Sequence, residues 1–253
     1  MMRKLFFTIC LFGAVASQSQ NKATLYPEKA ETQISKHIYG HFAEHLGRCI
    51  YDGIYTGDNY NIPTTSGVRN DVIEALKNLN IPNLRWPGGC FADTYHWKDA
   101  IGPKDQRKPI ENTSWGGRED NSFGTHEFLN LCELLDAEPY LAVNMNSGSV
   151  QEAVEWEQYV NNPNGSSHLT DLREKNGRSK PWNVKYWGIG NESWDCGGDM
   201  TADYYSNLYK RYAVAMTNYG NSDGLFRIAV GPGQADYEWT ETIMKQVPAR
   251  RIE

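Results

Sequence analysis

An asparagine–glutamate pair, Asn191-Glu192, is the feature of this chain whose residue types most directly indicate chemistry. It follows a short apolar segment, 184–189, that has the length and composition of a buried β-strand. Barrel enzymes carry their catalytic groups at such strand ends. Hydrolysis of a glycoside needs a carboxylic acid at the glycosidic oxygen and hydrogen bonds to the 2-OH of the sugar. The alternative is an N-glycosylation sequon, because Ser193 follows the pair.

Two other segments place polar side chains where predicted strands end. Arg85 lies in a predicted strand and is followed by a Pro-Gly-Gly turn and Cys90, and glycine lets backbone approach a small ligand closely. Glu44 follows a first predicted strand, 38–42. Taken singly, Arg85 would be a structural arginine in a tight turn, and Glu44 a solvated carboxylate. Three such signals at predicted strand ends favour one shared site.

Hydrophobic periodicity predicts strands that alternate with helices. The strands are predicted over 38–42, 83–86, 139–144, 186–190 and 226–230. Four helices are predicted to be capped by Ser66, Thr125, Ser149 and Thr201, and a fifth helix covers 239–247. Five strand–helix units in a row predict a parallel α/β sheet, either open and doubly wound or closed into a barrel. The first strand is not followed by a glycine-rich nucleotide-binding turn, which favours the barrel.

The number of units indicates only part of a barrel. A (β/α)8 TIM barrel needs eight units and about 250 residues or more, whereas only about five units are found here. We therefore expect residues 37–253 to be the N-terminal part of a TIM-barrel catalytic domain, preceded by an N-terminal segment, 17–36.

The first sixteen residues have the layout of a signal peptide. Arg3 and Lys4 precede an apolar run, 5–15, and Ala14-Val15-Ala16 fits a small-x-small cleavage site. The run is too short to span a bilayer. We therefore expect a protein that is exported, secreted or periplasmic. The alternative is a buried N-terminal strand or helix.

Composition and cysteine spacing bound the class of protein. A net charge of −6 without a basic cluster argues against a nucleic-acid partner, and we expect no membrane partner. The cysteines outside the leader are Cys49, Cys90, Cys132 and Cys196, and their spacing matches no zinc pattern. Cys132 is predicted in the core. Cys90 and Cys196 both follow predicted strand ends, where they could form a bridge or remain two thiols.

Several long motifs, in order along the chain, resemble one enzyme family. They are IYGHFAEHLGRCIY at 38–51, LRWPGGCF at 84–91, YHWKD with IGP at 95–103, FGTHEF at 123–128 and GIGNESW at 188–194. The chain is similar in these segments to the family 51 α-L-arabinofuranosidases of glycoside hydrolase clan A. The similarity runs from about residue 36 to the end.

The resemblance implies a (β/α)8 barrel joined to a β-sandwich that is built mostly from the C-terminal part, with a strand from 17–36. It also implies a retaining hydrolase that releases terminal non-reducing α-L-arabinofuranosyl groups from arabinoxylan, arabinan and related glycans. Glu192 would be the general acid/base, and the nucleophilic glutamate of the family would lie beyond Glu253.

The remaining site residues are also implied by the resemblance. Asn191 would bind the 2-OH of the sugar, Glu44 would bind arabinose, and Arg85 would lie near the nucleophile. Trp115 would line the pocket from the loop 104–122. Cys90 occupies a position where some members have an asparagine that contacts the sugar, and a thiol would bond more weakly there.

The resemblance implies no metal and no organic cofactor. The expected partner is an oligo- or polysaccharide that contains arabinofuranosyl groups, and a homo-oligomer is left open. The alternatives are another clan A activity, such as a xylosidase or endoglucanase, and a catalytically inert sugar-binding fragment. A doubly wound protein without hydrolytic activity would be favoured only if no barrel closes.

Overall fold

The computed structural model describes residues 21–57, 61–219 and 224–252. The chain divides into two units, Met1–Ser35 and Lys36–Glu253. Within the first unit, the described residues contain one 3-10 turn, Pro27–Lys29. The predicted leader, 1–16, lies outside the described residues, and the strand expected within 17–36 stays a prediction.

The second unit is built on a parallel sheet. Its strands in chain order are β1 His41–Phe42, β2 Thr64–Thr65, β3 Val68–Arg69, β4 Asn83–Trp86, β5 Ile110–Glu111, β6 Arg118–Glu119, β7 Glu138–Val143, β8 Tyr186–Ile189 and β9 Phe226–Ala229. Strands β1, β4, β7, β8 and β9 form the sheet in that order, and every pair is parallel. A doubly wound sheet reverses its strand order at a switch point. This sheet adds strands in one direction only, as the wall of a barrel does.

Helices connect the parallel strands, because such strands need a crossover between them. They are α1 Asn70–Asn78, α2 Thr125–Leu135, α3 Val150–Asn161, α4 His168–Lys175, α5 Ala202–Ala215 and α6 Tyr237–Gln246. The five predicted helices and five predicted strands are present, but the first strand is shorter than predicted, because Ile38 and Tyr39 lie in the 3-10 helix Lys36–Tyr39. The helix α4 is an additional one that the periodicity did not indicate. Among the residues that the structure describes, no helix combines the length and apolar composition that a membrane span requires.

Aromatic side chains fill the layer between the sheet and the helices. Trp86 of β4 stacks on Phe128 of α2 with ring centroids 5.1 Å apart. Trp187 of β8 meets Trp156 of α3 edge to face at 5.7 Å. Cys132 of α2 is buried in the same core, as predicted. This packing fixes the strands, and therefore the positions of the turns at their carboxyl ends.

Candidate active site

Arg85 and Asn191 join two strands that are not adjacent in the sheet. Arg85 lies in β4 and Asn191 follows β8, with β7 between them. The Nη1 atom of Arg85 donates to Asn191 Oδ1 over 3.0 Å and to the carbonyl of Gly88 over 2.5 Å. Asn191 is buried, and its Nδ2 has no hydrogen-bond partner among the described residues. Because Oδ1 faces the guanidinium, Nδ2 is left to donate to a ligand.

Glu192 stands at the exposed end of a tightly closed turn after β8. Its φ of 40° lies in the left-handed region, which residues with a side chain seldom adopt. The Glu192 carbonyl accepts hydrogen bonds from the N–H of Asp195 over 2.8 Å and of Gly197 over 3.0 Å. A Cβ at Gly197 would lie 1.8 Å from the Asn191 carbonyl oxygen, so this turn requires glycine. The turn thus holds a carboxylate at the edge of the sheet.

Cys90, after β4, and Cys196, after β8, form a disulfide with Cα atoms 5.5 Å apart. Their Sγ atoms lie 3.9 Å and 3.4 Å from Oε2 of Glu192. A disulfide sulfur carries no hydrogen, so these are contacts and not hydrogen bonds. The sequence left open whether these two cysteines form a disulfide or remain thiols, and the structure shows the disulfide. Cys90 therefore presents an apolar sulfur beside Glu192 and not a thiol donor.

The two sulfurs and Glu192 are also close enough to share a metal ion, with candidate ligand atoms within 4.8 Å of one another. Cysteine binds metal as the thiolate. The sulfurs of a disulfide are not thiolates, so the group does not fit a metal site in this state. The arrangement is that of a carboxyl group, Glu192, packed against the apolar surface of the disulfide.

Glu44, after β1, is buried against the turn that follows β4. Its Oε1 accepts from the N–H of Phe91 over 3.1 Å and from Nε1 of Trp115 over 2.8 Å. A Cβ at Gly88 would lie 2.3 Å from Cγ of Glu44, and Gly88 has a φ of 143°. The Pro-Gly-Gly turn was predicted to bring backbone close to a ligand. In the structure, it brings backbone close to the Glu44 side chain.

A cavity of about 260 Å³ lies at the strand ends and contains three of the predicted residues. It is lined by Arg85, Tyr140, Gly190, Asn191, Glu192, Trp194 and residues 228–232. Glu44 and Trp115 do not line it and form a neighbouring cluster across the Pro-Gly-Gly turn. Cys90 reaches the cavity through its contact with Glu192. The structure thus brings the six predicted residues to one edge of the sheet, in two connected groups.

Two aromatic residues of the cavity were not predicted. Tyr140 of β7 lies opposite Arg85 of β4 in the sheet register, so both side chains face the same side. Burial raises the pKa of Tyr140, and the charge of Arg85 lowers it. Trp194 donates from Nε1 to the carbonyl of Gly231 over 3.0 Å. The strand register would have identified Tyr140, whereas Trp194 follows Glu192 closely and belongs to the same motif.

A third residue that the sequence did not indicate is Asp93, whose side chain is fully buried. It lies in the 3-10 helix Cys90–Thr94, which follows β4. Its Oδ1 accepts from the N–H of Met145 over 2.8 Å, and its Oδ2 accepts from the N–H of Asn191 over 3.1 Å. Burial raises the pKa of Asp93 to about 7, although the N–H groups of Met145, Asn191 and Asn146 lower it.

Comparison with known proteins connects this geometry to one group of enzymes. The family model for the α-L-arabinofuranosidase 1 domain matches residues 75–247. An intracellular exo-α-L-arabinofuranosidase of Bacteroides ovatus is 50% identical over 254 residues, which cover 99% of this chain and 49% of that relative. A probable α-L-arabinofuranosidase C of Aspergillus flavus is 44% identical over 207 residues, or 81% of this chain and 41% of that relative. The chain thus spans about half the length of the curated relatives that it matches.

Solved structures agree with the sequence matches. The glycoside hydrolase family 51 arabinofuranosidase of Xanthomonas axonopodis pv. citri superposes with a TM-score of 0.86 at 43% identity, over 89% of this chain and 45% of that one. The α-L-arabinofuranosidase of Thermotoga maritima, solved as an arabinose complex, gives 0.78 at 45% identity, over 85% and 44%. These likenesses confirm the predicted fold, with this chain as the N-terminal part of the barrel. The C-terminal β-sandwich stays a prediction.

The prediction of export is wrong, because a relative that matches nearly the whole chain is named as intracellular. The Bacteroides ovatus relative, which is matched over 99% of this chain, is named as an intracellular enzyme. A signal peptide and a secreted or periplasmic location are therefore not supported. Two charges before a short apolar run are a compositional pattern, and the same composition fits the buried N-terminal segment that was the alternative. The pattern alone does not define a compartment.

Proposed function

The chain belongs to the α-L-arabinofuranosidases of glycoside hydrolase family 51, and we propose that the whole protein releases terminal non-reducing α-L-arabinofuranosyl groups with retention of configuration. One observation carries this proposal: Arg85, Asn191 and Glu192 meet in one cavity at the carboxyl ends of β4 and β8. The substrate class is supported by relatives of up to 50% identity that are named for this activity. The substrate is an oligo- or polysaccharide with arabinofuranosyl groups, and the reaction uses no cofactor.

Glu192 is the general acid/base of the proposed reaction. In the first step it protonates the departing oxygen while a second carboxylate, encoded beyond residue 253, attacks the anomeric carbon. In the second step it deprotonates the water that releases the sugar. Its exposed carboxyl lies at the rim of the cavity, and the closed turn fixes the backbone from which the side chain extends.

The other predicted residues bind the sugar. Asn191 donates from Nδ2 to the 2-OH, because Arg85 holds its Oδ1 and so sets the orientation of the amide. Glu44 accepts from a sugar hydroxyl, and the indole of Trp115, which is 45% exposed, packs on the ring. The Cys90–Cys196 disulfide supplies an apolar wall beside Glu192 in place of a thiol hydrogen bond.

Replacement of the acid tests the proposal in the whole protein. Glu192→Ala should lower hydrolysis of arabino-oligosaccharides by about 100- to 10,000-fold, the usual contribution of general acid catalysis. Aryl arabinofuranosides with good leaving groups should lose less, because their departing oxygen needs little protonation. Glu174→Ala, the same change at an exposed glutamate of α4, is the matched control and should leave both rates unchanged.

Two results would reject the proposal. Equal losses by Glu192→Ala on both substrate classes would remove the acid role. A panel of 4-nitrophenyl glycosides on which the xyloside or glucoside, and not the arabinofuranoside, is hydrolysed would assign the protein to another clan A activity.

A further inference from the structure

The Asp93 side chain connects the loops that follow three neighbouring strands. It lies in the 3-10 helix after β4. One carboxylate oxygen accepts from the N–H of Met145, after β7, and the other from the N–H of Asn191, after β8. The backbone of the same residue adds to the link, because its carbonyl accepts from the N–H of Ser147 over 3.3 Å and from its hydroxyl over 3.1 Å.

The contact with Asn191 falls directly before the strained backbone of Glu192. A left-handed conformation at a residue with a side chain persists only where its surroundings determine it. Here the Asn191 N–H is held by Asp93 on one side, and the Glu192 carbonyl is held by Asp195 and Gly197 on the other. Gly197 packs closely on this arrangement, since a Cβ at that position would lie 2.9 Å from Oδ2 of Asp93.

A carboxylate suits this position better than an amide does. Each oxygen of Asp93 faces a backbone N–H, and a carboxyl group can accept at both oxygens, fully when ionised and with the remaining lone pairs when neutral. An asparagine at the same position would accept at one atom and present an NH2 group to the other N–H. Either the Met145 N–H or the Asn191 N–H would then lose its partner, and a buried unpaired donor is costly.

We propose that Asp93 is a positioning residue for the hydrolytic reaction, which holds the Asn191 N–H and thereby fixes the direction in which Glu192 presents its carboxyl. This inference rests on the proposed function, because it assigns Asp93 a part in the protonation step. Asp93 acts through the backbone of the turn and does not touch the substrate.

The whole enzyme with Asp93→Asn tests the assignment by the dependence of rate on the leaving group. A displaced acid protonates less effectively, so kcat should fall about 10-fold more on an arabino-oligosaccharide than on 2,4-dinitrophenyl α-L-arabinofuranoside, a fraction of the full general-acid effect. KM for the aryl substrate should change little. Glu157→Gln makes the same chemical change at another fully buried carboxyl, on α3, and should leave this ratio unchanged.

The outcomes distinguish the positioning role of Asp93 from the proposed function. A wild-type enzyme that hydrolyses no arabinofuranoside would reject the proposed function itself. An active wild type with equal losses on both substrates in the Asp93→Asn enzyme would overturn the positioning role and leave the proposed function standing. If Asp93→Asn does not fold, Asp93→Ser, which is smaller and keeps one acceptor, takes its place with the same expected ratio. Failure of both variants to fold would show a structural role only and would also overturn the proposal.

Discussion

His45 and Glu119, 74 residues apart in the chain, form a buried pair in which His45 Nδ1 lies 2.9 Å from Glu119 Oε2. The Nε1 atom of Trp86 donates to Nε2 of the same imidazole over 3.1 Å. This bond assigns the proton to Nδ1, so the ring donates to Glu119. The other oxygen of Glu119 accepts from Nδ2 of Asn112 over 2.8 Å. The pair therefore ties the β5–β6 hairpin, which carries Trp115, to the segment that carries Glu44.

Glu119→Gln is expected to loosen this hairpin. The amide would accept at one atom and oppose an N–H donor at the other, which leaves a buried donor without a partner. Hydrogen bonds to charged groups contribute about 1.5–3 kcal/mol, so the free energy of unfolding of the whole protein should fall by about 2 kcal/mol. Urea unfolding followed by circular dichroism measures this. Glu111→Gln, in β5 of the same hairpin and exposed, is the control, and equal effects of the two changes would contradict the prediction.

The hydrogen bond from Trp115 Nε1 to Glu44 Oε1 makes a second prediction. Trp115→Phe keeps an aromatic ring but removes the donor, so Glu44 keeps only the Phe91 N–H on that oxygen. We expect kcat/KM on an aryl arabinofuranoside to fall about 5- to 10-fold, equivalent to roughly 1–1.5 kcal/mol.

A double-mutant cycle shows whether the two side chains act together. Glu44→Gln alone should be more damaging, since it also changes a group that is proposed to bind the sugar. In the Glu44→Gln background, Trp115→Phe no longer breaks a hydrogen bond to a charged acceptor. The loss of transition-state stabilisation in the double variant should therefore be about 1 kcal/mol smaller than the sum of the two single losses. Strictly additive effects would show that the bond has no part in sugar binding.

Local sequence signals predicted the strands and half of the helix starts. Ser149 and Thr201 cap α3 and α5, and they accept from N–H groups three residues later, as expected. Thr125 was wrong as a cap because its hydroxyl accepts from Nε1 of Trp156, a partner on another helix. Ser66 was wrong because it forms the left-handed turn between β2 and β3, with a φ of 54°. Both errors come from contacts or turns that compete with capping.

The grouping of Arg85, Asn191 and Glu192 was predictable from the topology, because parallel strands present their carboxyl ends at one edge of a sheet. Asp93 was not predictable in this way. It lies in a 3-10 helix after its strand, and its partners are backbone N–H groups of the loops after β7 and β8. Residue types do not indicate which backbone N–H groups a side chain will contact. Its one local signal is an acidic residue next to the fully buried Phe91 and Ala92.

The Cys90–Cys196 disulfide should stabilise the protein measurably. It closes a loop with a sequence separation of 106 residues, and bridges of this kind contribute typically about 2–4 kcal/mol. The free energy of unfolding of the wild type should fall by this amount when dithiothreitol is added. The double variant Cys90→Ser/Cys196→Ser should show the same loss without dithiothreitol. Cys49→Ser removes an exposed free thiol and should show none. A wild type whose stability does not respond to dithiothreitol would show that the bridge is absent in solution.

Glu157 of α3 should make stability depend on pH. Burial raises its pKa to about 8, although the Thr217 N–H and the charge of Arg227 lower it. The folded state therefore binds this proton more tightly than the unfolded state. The contribution of the protonated Glu157 to the free energy of unfolding is complete below the ordinary pKa of 4.5 and is lost as the pH rises through about 8. Glu157→Gln keeps the size of the side chain but does not titrate.

The difference in unfolding free energy between Glu157→Gln and wild type isolates this group, because Asp93 and the other titrating residues are common to both proteins. The unfolding free energy of Glu157→Gln minus that of the wild type should rise by at most about 1.4 kcal/mol per pH unit between about pH 4.5 and 8. Above pH 8 this difference should stay constant. Urea unfolding at pH 5, 7 and 9 measures the difference. A difference that is independent of pH, or one that shrinks as the pH rises, would mean that Glu157 is ionised in the folded protein and is stabilised by the Arg227 charge.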